Sequence, residues 1–527
     1  MNLIGGVTMI WLEGVSLTAI VLVLLFLVIP ISTIVYVYFY DKKQKQHAIL
    51  RNYPILGRMR YTLEKTGPEL RQYLFDGDNE GKPFNRQDYL HMVLPGKYLS
   101  SVIAFGSKRD FEQPGYFIRN AMFTKQNEEM RVDNDEPIQS MRYVVDEDLL
   151  FNRKEHREEV AALPWLLPET DAVVIGPNCE HPFHVRSLLG QSGMSYGALG
   201  EHAIRALSKG IGMAKEAWMN TGEGGLSDHH LAGDAHIIAQ IGSGLFGYRT
   251  EDGEFSWDRL REKAEIPQVK AFELKLAQGA KMRGGHVEGE KVTEEIARIR
   301  NVVPFTTINS PNRFKEFDDY PTLFEFIDQI RQHSGKPVGI KIVIGSQDDA
   351  EELASFMKET GVGPDFISLD GAEGGSGATY QDLADGVGLP LRSAIVLLDR
   401  ALRKFEVRDD VKIIASGKIT TPDKAAIALA MGADLVQIAR GFMISVGCIM
   451  AERCHTNTCP AGVATTDSKL QQGLVVDEKK FRVTNYILTM REGLFRIAAA
   501  AGLDSPTKLT RKHLVYKDER GRVFPLE

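Results

Sequence analysis

The first strong pattern along the chain is a run without polarity. Residues 14 to 40, "GVSLTAIVLVLLFLVIPISTIVYVYFY", carry no charge, and a helix crosses a bilayer with about 20 apolar residues. The run predicts a transmembrane anchor. A cleaved signal peptide fits less well, because the run is too long, has no A-x-A site and follows Glu13 rather than a basic patch. Lys42, Lys43, Lys45, Arg51, Arg58 and Arg60 come after it and no Lys or Arg precedes it. The positive-inside rule then predicts a single-pass cell-membrane protein with a cytoplasmic body. Tyr36, Tyr38 and Tyr40 suit an interfacial aromatic belt.

From about residue 185 short apolar runs recur, each closing on Gly, Ser, Asn or Asp. They are "SLLGQSGMS" (187–195), "AHIIAQIGSG" (235–244), "FELKLAQG" (272–279), "VVPFTTINS" (302–310), "PVGIKIVIGS" (337–346), "DFISLDG" (365–371), "VKIIASGK" (411–418) and "DLVQIARG" (434–441). Helical patterns such as "YPTLFEFIDQIRQ" and "PDKAAIALAMGA" stand between them. Strands alternating with helices imply a parallel sheet, and eight repeats over this length predict an α/β fold, a closed (β/α)8 TIM barrel. An open doubly wound sheet is the alternative. The expected organisation is a membrane anchor over 1–40, a mixed α/β connecting module over 41–165, the barrel with a cysteine segment over 166–465, and a short helical extension over 466–527.

Composition narrows the chemistry. The 43% apolar and 25% charged content is ordinary globular material, and a net charge of −7 without a basic tract argues against nucleic acid as a partner. The four cysteines, 179, 448, 454 and 459, form no disulfide framework and suit a reducing compartment.

Candidate chemistry collects at the strand ends. "GSGLFG" (242–247) matches G-x-G-x-x-G but opens no helix, so no nicotinamide site is expected. Strands seven and eight end in "ASGK" and "ARG", placing Gly417, Lys418, Arg440 and Gly441 where barrels bind phosphate, and "EGGSGA" adds Gly374 and Gly375. Lys275 and Lys341 each interrupt a barrel strand, and a buried ammonium needs an anion. For Lys275 that anion is either Glu273, two residues away, or a bound ligand; two such lysines suit a reduced flavin and a carboxylate substrate. Cys448, Cys454 and Cys459 stand as C-x5-C-x4-C. Three thiolates without a fourth suit a [3Fe-4S] cluster; the rival is zinc on the same cysteines with His455.

Together these strings resemble the FMN-binding synthase domain of glutamate synthase. "SGMSYGALGEHAI", "MNTGEGG", "IGSGLFG", "LKLAQGAK", "DGAEGGSGA" and "CHTNTCPAGVAT" occur in that family's order over about residues 185–465. "RNYPILGRMRY", "GPELRQY" and "EGKPFNR" are similar to its stand-alone, membrane-anchored bacterial members. The resemblance implies FMN, a [3Fe-4S] cluster on the three cysteines, and reduction of 2-iminoglutarate, formed from 2-oxoglutarate and ammonia, to L-glutamate. It places Met194, Ser195 and Gln240 along the flavin with Lys341 at its N1 side. Lys275, Gln278 and Lys281 meet the keto acid, and Glu223 stands where ammonia arrives, so that Lys275 and Glu223 are the expected catalytic pair. An electron donor, ferredoxin-like or membrane-linked, is implied as well.

Departures from the family define what is expected to differ. Its amino-terminal cysteine amidotransferase has no counterpart, since the first cysteine is Cys179, so ammonia is expected free or from a partner. "AKMRGG" (280–285) is one residue shorter than the family's "AKPGEGG", and "SPNRF" (310–314) replaces paired histidines. Two further readings stay open: a membrane-tethered electron-transfer or redox-sensing protein, and an amino- or hydroxy-acid dehydrogenase working in the oxidative direction.

Overall fold

The computed structural model describes residues 18–19, 21–146 and 154–526. Glu13 and residues 14–17 and 20 of the expected span lie outside the described residues. The chain divides into two compact units, Met1–Arg86 and Gln87–Glu527.

In the first unit a continuous helix of 23 residues runs over Val21–Lys43, with none of its apolar window buried in the protein. At about 1.5 Å per residue it is roughly 34 Å long, enough to cross a bilayer by length and composition. Its last fifteen residues form α1 (Ile29–Lys43). Two helices follow, α2 (Ala48–Asn52) and α3 (Leu56–Leu70), the latter continuing through a π-helical turn over Arg71–Phe75. Asp41, buried on the last turn of α1, fixes the start of α3. Its carboxylate accepts Arg58 Nη2 at 2.6 Å, Arg58 Nε at 2.9 Å and the Ile55 N–H at 3.0 Å.

In the second unit eight parallel strands close a barrel: β1 (Leu189–Gln191), β2 (Trp218–Asn220), β3 (His236–Gly242), β4 (Val269–Lys275), β5 (Val338–Ile342), β6 (Phe366–Asp370), β7 (Lys412–Ser416) and β8 (Leu435–Ile438). The barrel expected from the sequence is therefore present. One strand differs. The run 302–310 is not in the barrel; the three residues "WMN" of β2 take that place in the count. Val303 and Phe305 are 68% and 65% exposed, whereas all of β2 is buried. Thr293 instead caps α4 (Glu294–Arg300), accepting from the Ile296 N–H, and Asn301 ends it at φ 55°. The chain then runs to Ile308–Asn309, which pairs antiparallel with His286–Val287 over the barrel mouth.

Side chains alternate along a strand and registered neighbours share a face, so aromatic rings and glycines can fit each other across the barrel floor. A Cβ on Gly190 would stand 2.1 Å from the Trp218 ring, and one on Gly339 2.4 Å from the Phe366 ring. These two glycines leave the space that the rings fill.

The expected carboxyl-terminal helix is α5 (Val476–Ala500), followed by strands Leu514–Lys517 and Val523–Pro525 that extend a sheet begun by Gly115–Ile118. From α5 the fully buried Arg491 donates to the carbonyls of Pro164 (3.0 Å), Ala214 (2.7 Å) and Lys215 (2.8 Å), and to Ser187 Oγ (3.0 Å). One guanidinium thus satisfies three buried acceptors and the part-buried Lys215 carbonyl at the amino-terminal side of β1 and β2. Arg491→Met leaves them unpaired, at about 1–3 kcal/mol each. Denaturant unfolding of the variant is expected to show a loss of at least about 3 kcal/mol; a loss below about 0.5 kcal/mol contradicts this account.

Candidate active site

The barrel interior is polar, and a carboxylate organises its lower layer. Glu273, fully buried on β4, accepts Asn220 Nδ2 at 2.8 Å, Gln240 Nε2 at 2.5 Å and the Ser368 hydroxyl. Its oxygens are committed there. Lys275, one layer nearer the mouth on the same face, finds its carboxylate elsewhere: Glu223 Oε2 lies 3.1 Å from its ammonium. The pairing of Lys275 with Glu273 considered from the sequence is therefore replaced by a pairing with Glu223. Lys281 binds the other Glu223 oxygen. Two loops, after β2 and β4, meet on this one carboxylate.

Small residues make that meeting possible. A Cβ on Gly242, the last residue of β3, would stand 2.7 Å from Glu223, and one on Gly285 would stand 2.3 Å from Lys281 Nζ. The loop carrying Lys281 turns on itself, with the Gln278 and Lys281 backbones exchanging hydrogen bonds of 3.2 and 2.9 Å. Asp370, at the end of β6, accepts the Gly279 N–H at 2.9 Å and stands 3.6 Å from Lys341 Nζ. Lys341 also donates to Ser192 Oγ at 3.2 Å. Asp370 thus links the turn carrying Gln278 and Lys281 to the lysine of β5.

Burial governs the protonation of this cluster. It pulls Lys275 down to about 7, with the Lys341 charge pushing the same way and Asp370 and Glu273 opposing. Lys281 falls to about 8 for the same reason, aided by Arg300. Arg300 was not singled out from the sequence. It is 3% exposed at the end of α4, donates through Nη2 to the Tyr196 carbonyl at 3.0 Å, lies 5.4 Å from the Phe246 ring centroid, and has a buried Nε without a partner. Its only signal was position, since it lies on the buried helix face of Ile296 and Ala297.

Met194 and Ser195 lie in the loop after β1. The Met194 carbonyl accepts from the buried His230 ring at 3.2 Å, and the Ser195 carbonyl accepts the Leu199 N–H at 3.0 Å. A Cβ on Gly222 would stand 2.7 Å from the Ser195 nitrogen, so this loop packs tightly on the one carrying Glu223.

At the other side of the mouth Arg440 donates to the Glu373 carbonyl at 2.7 Å, and a Cβ on Gly375 would stand 3.2 Å from its guanidinium. Lys418, at φ 47° after Gly417, has its pKa lowered by burial and then by Arg440. Three of the glycines expected to cradle phosphate have packing reasons as well. Gly374 abuts Gly279, Gly417 abuts Leu391, and Gly441 leaves room for Tyr486 Oη of α5.

Cys448, Cys454 and Cys459 are free thiols, near enough that Cys454 and Cys459 act on Cys448, which burial already pushes up to about 11. Lys291 Nζ donates to the Cys454 carbonyl at 2.5 Å. Among the described residues no group of three or more His, Cys, Asp or Glu side chains is arranged to hold a metal ion.

Comparison with known proteins gives these positions a lineage. The family model described as "Conserved region in glutamate synthase" matches residues 125–504, which include every candidate residue above. "Glutamate synthase large subunit-like protein YerD" of Bacillus subtilis (strain 168) is 57% identical over 488 residues, covering 92% of this chain and 93% of that protein. "Archaeal glutamate synthase [NADPH]" of Methanocaldococcus jannaschii is 33% identical over 317 residues, covering 59% of this chain and 58% of that protein. Among solved structures, the flavin-binding domain of baker's yeast flavocytochrome b2 aligns with a TM-score of 0.40 at 13% identity, covering 81% and 78% of the two chains; so distant a likeness adds nothing to the fold, which strand pairing already establishes. The match over 125–504 and the near-full-length relative together show that the chain belongs to the glutamate synthase family.

Proposed function

We propose that this protein is an iron–sulfur flavoprotein that reductively aminates 2-oxoglutarate, through 2-iminoglutarate, to L-glutamate, with ammonia arriving free or from a partner. The observation that carries the reading is Glu223 held between Lys275 and Lys281 at the barrel mouth. A dicarboxylate entering there competes with Glu223 for two fixed ammonium groups. Charges arranged in advance compensate the hydration it loses.

The residues fit FMN. The buried Gln437 of β8 has neither amide atom partnered, Lys341 lies inside the barrel, and Lys418 and Arg440 bring two cations together where a phosphate would neutralise them. They also fit a thiolate-bound iron cluster in donor chemistry, with three neighbouring thiols and the buried Lys291 beside them. When bound, FMN supplies the hydride and the cluster passes single electrons. The chain's own residues do the rest. Glu223, displaced by the substrate carboxylates, takes the proton ammonium must lose before its nitrogen attacks the keto carbon. Lys275, titrating near neutrality, gives a proton to the oxygen that leaves as water. Met194, Ser195 and Gln240 shape the flavin side, and Gln278 adds a polar contact for the substrate. The helix over Val21–Lys43 anchors the chain in the cell membrane with its body in the cytoplasm, where a ferredoxin-like or membrane-linked donor supplies electrons.

Photoreduced protein is expected to be reoxidised by 2-oxoglutarate with ammonium, and Lys275→Met to lose this while retaining FMN. One charge-assisted contact is worth about 1.5–3 kcal/mol, or a tenfold to more than hundredfold loss of affinity. Unchanged reoxidation by the variant excludes the dicarboxylate substrate; loss of FMN makes Lys275 a structural partner of Glu223.

The pH dependence follows from the same lysine. In the free protein Lys275 is charged below about pH 7 and neutral above it, and an incoming carboxylate restores its proton. Affinity for 2-oxoglutarate is expected to be flat below pH 6 and to weaken above pH 7, by at most about tenfold per pH unit for one proton. Calorimetry in buffers of different ionisation enthalpy then shows proton uptake at pH 8 and none at pH 6. Equal uptake at both removes Lys275 from the binding step.

Protein purified without oxygen is expected to contain iron and acid-labile sulfide, and Cys454→Ala to lose both while keeping FMN. Stoichiometric zinc without iron in the unaltered protein overturns the cluster assignment.

A further inference from the structure

Following the apolar helix, α3 carries a second apolar surface that the proposed activity does not use. Leu56, Met59, Leu63 and Leu70 recur at helical spacing, and Leu74 continues the row through the π-helical turn. At about 100° per residue they form one stripe. Leu56, Met59, Leu63 and Leu74 are 74%, 66%, 54% and 70% exposed. The opposite face is the packed one. A Cβ on Gly57 would stand 3.1 Å from Leu50 of α2, and Tyr61 meets the His47 ring edge-on with centroids 4.9 Å apart.

Two observations say what covers the stripe. The first is depth. Asp41 lies two residues before the end of α1 and holds both the Ile55 N–H and Arg58, so α3 begins where α1 ends. The second is charge. Lys42, Lys43, Lys45 and Arg51 lie along the chain at this junction, with Asp41 already neutralised by Arg58 and Arg60 paired with Glu64. An apolar stripe flanked by cations at that depth matches the interfacial layer of an anionic bilayer.

We propose that α3 lies in the headgroup layer of the membrane that α1 enters, with the Leu56–Leu74 stripe turned into the acyl boundary and the basic residues on anionic headgroups. This rests on reading the helix over Val21–Lys43 as a membrane span. The Asp41–Arg58 pair then sets the angle between span and interfacial helix, so the exit from the bilayer is a fixed elbow.

The test uses the full chain in vesicles of phosphatidylglycerol and phosphatidylethanolamine, with photoactivatable benzoylphenylalanine replacing Leu63 in one preparation and Lys65 in another. Several-fold more lipid adduct is expected from position 63 than from position 65. Resistance of both preparations to alkaline carbonate extraction reports the span independently. Equal lipid labelling at the two positions, or protein adducts at 63, in a carbonate-resistant chain overturns the interfacial helix and leaves the span standing. Release by carbonate overturns both. Asp41→Asn adds a second readout: weakening the Arg58 pair is expected to reduce the 63-to-65 ratio without releasing the chain, and an unchanged ratio removes the elbow.

Discussion

The active-site end of the barrel depends on keeping a single carboxylate between buried ammonium groups. Lys275 and Lys281 are each 5% exposed, and neither is stable as a cation there without a counter-charge. Glu223 supplies that charge to both. Because the lysines come from the β4 strand end and the following loop, and the glutamate from the loop after β2, this one interaction joins elements that the strand ladder does not connect at that height. A buried pair of this kind is poor evidence for stability and good evidence for function. Arg300 adds a third buried cation whose charge acts on Lys281 and whose Nε has no hydrogen-bond partner.

The framework around this cluster is arranged so that its charges need not move. Glu273 uses its oxygens on Asn220, Gln240 and Ser368, which ties β2, β3, β4 and β6 together one layer below. Asp370 then joins β6 to the turn after β4 and to Lys341 of β5. Outside the barrel, α5 braces β1 and β2 through Arg491 and reaches the β7 loop through Tyr486, whose hydroxyl donates to the Thr420 carbonyl at 3.0 Å. Strands and a bracing helix fix the lysines in place, and charges fixed in advance are the condition for electrostatic preorganisation.

Much of this was legible in the sequence because strand periodicity and charge burial are local signals. Lys275 and Lys341 were conspicuous as cations inside apolar runs. What escaped was decided by tertiary contact. "WMN" is too short to show alternation, yet Trp218 is fully buried over Gly190; "VVPFTTINS" has strand composition, yet Val303 and Phe305 face solvent around Pro304. Sequence distance left Glu273 open as a partner for Lys275, because it cannot reveal that three donors from other strands already occupy that carboxylate. Gly374 and Gly441 read as phosphate glycines, while their closest neighbours are Gly279 and Tyr486. Arg300 and Arg298 look alike in "IARIR", and only helix phase separates the buried one from its neighbour.

The loop after β4 gives the substrate side and the cysteine segment a shared mechanical element. It leaves the barrel at Lys275, turns at Gln278–Lys281, pairs His286–Val287 with Ile308–Asn309, and reaches Lys291, whose ammonium is bonded to the Cys454 carbonyl. The β6 loop approaches the same residue from the other side, where a Cβ on Gly377 would stand 3.2 Å from the Cys454 backbone. Asp370, at the root of that β6 loop, also holds Gly279. The loops after β4 and β6 are thus joined twice, at their roots by the hydrogen bond from the Gly279 N–H to Asp370 and further out by their shared contacts with Cys454. Burial raises the pKa of the Cys454 thiol and the positive charge of Lys291 opposes that rise, so the loop that carries Lys281 also brings a cation to the cysteine segment.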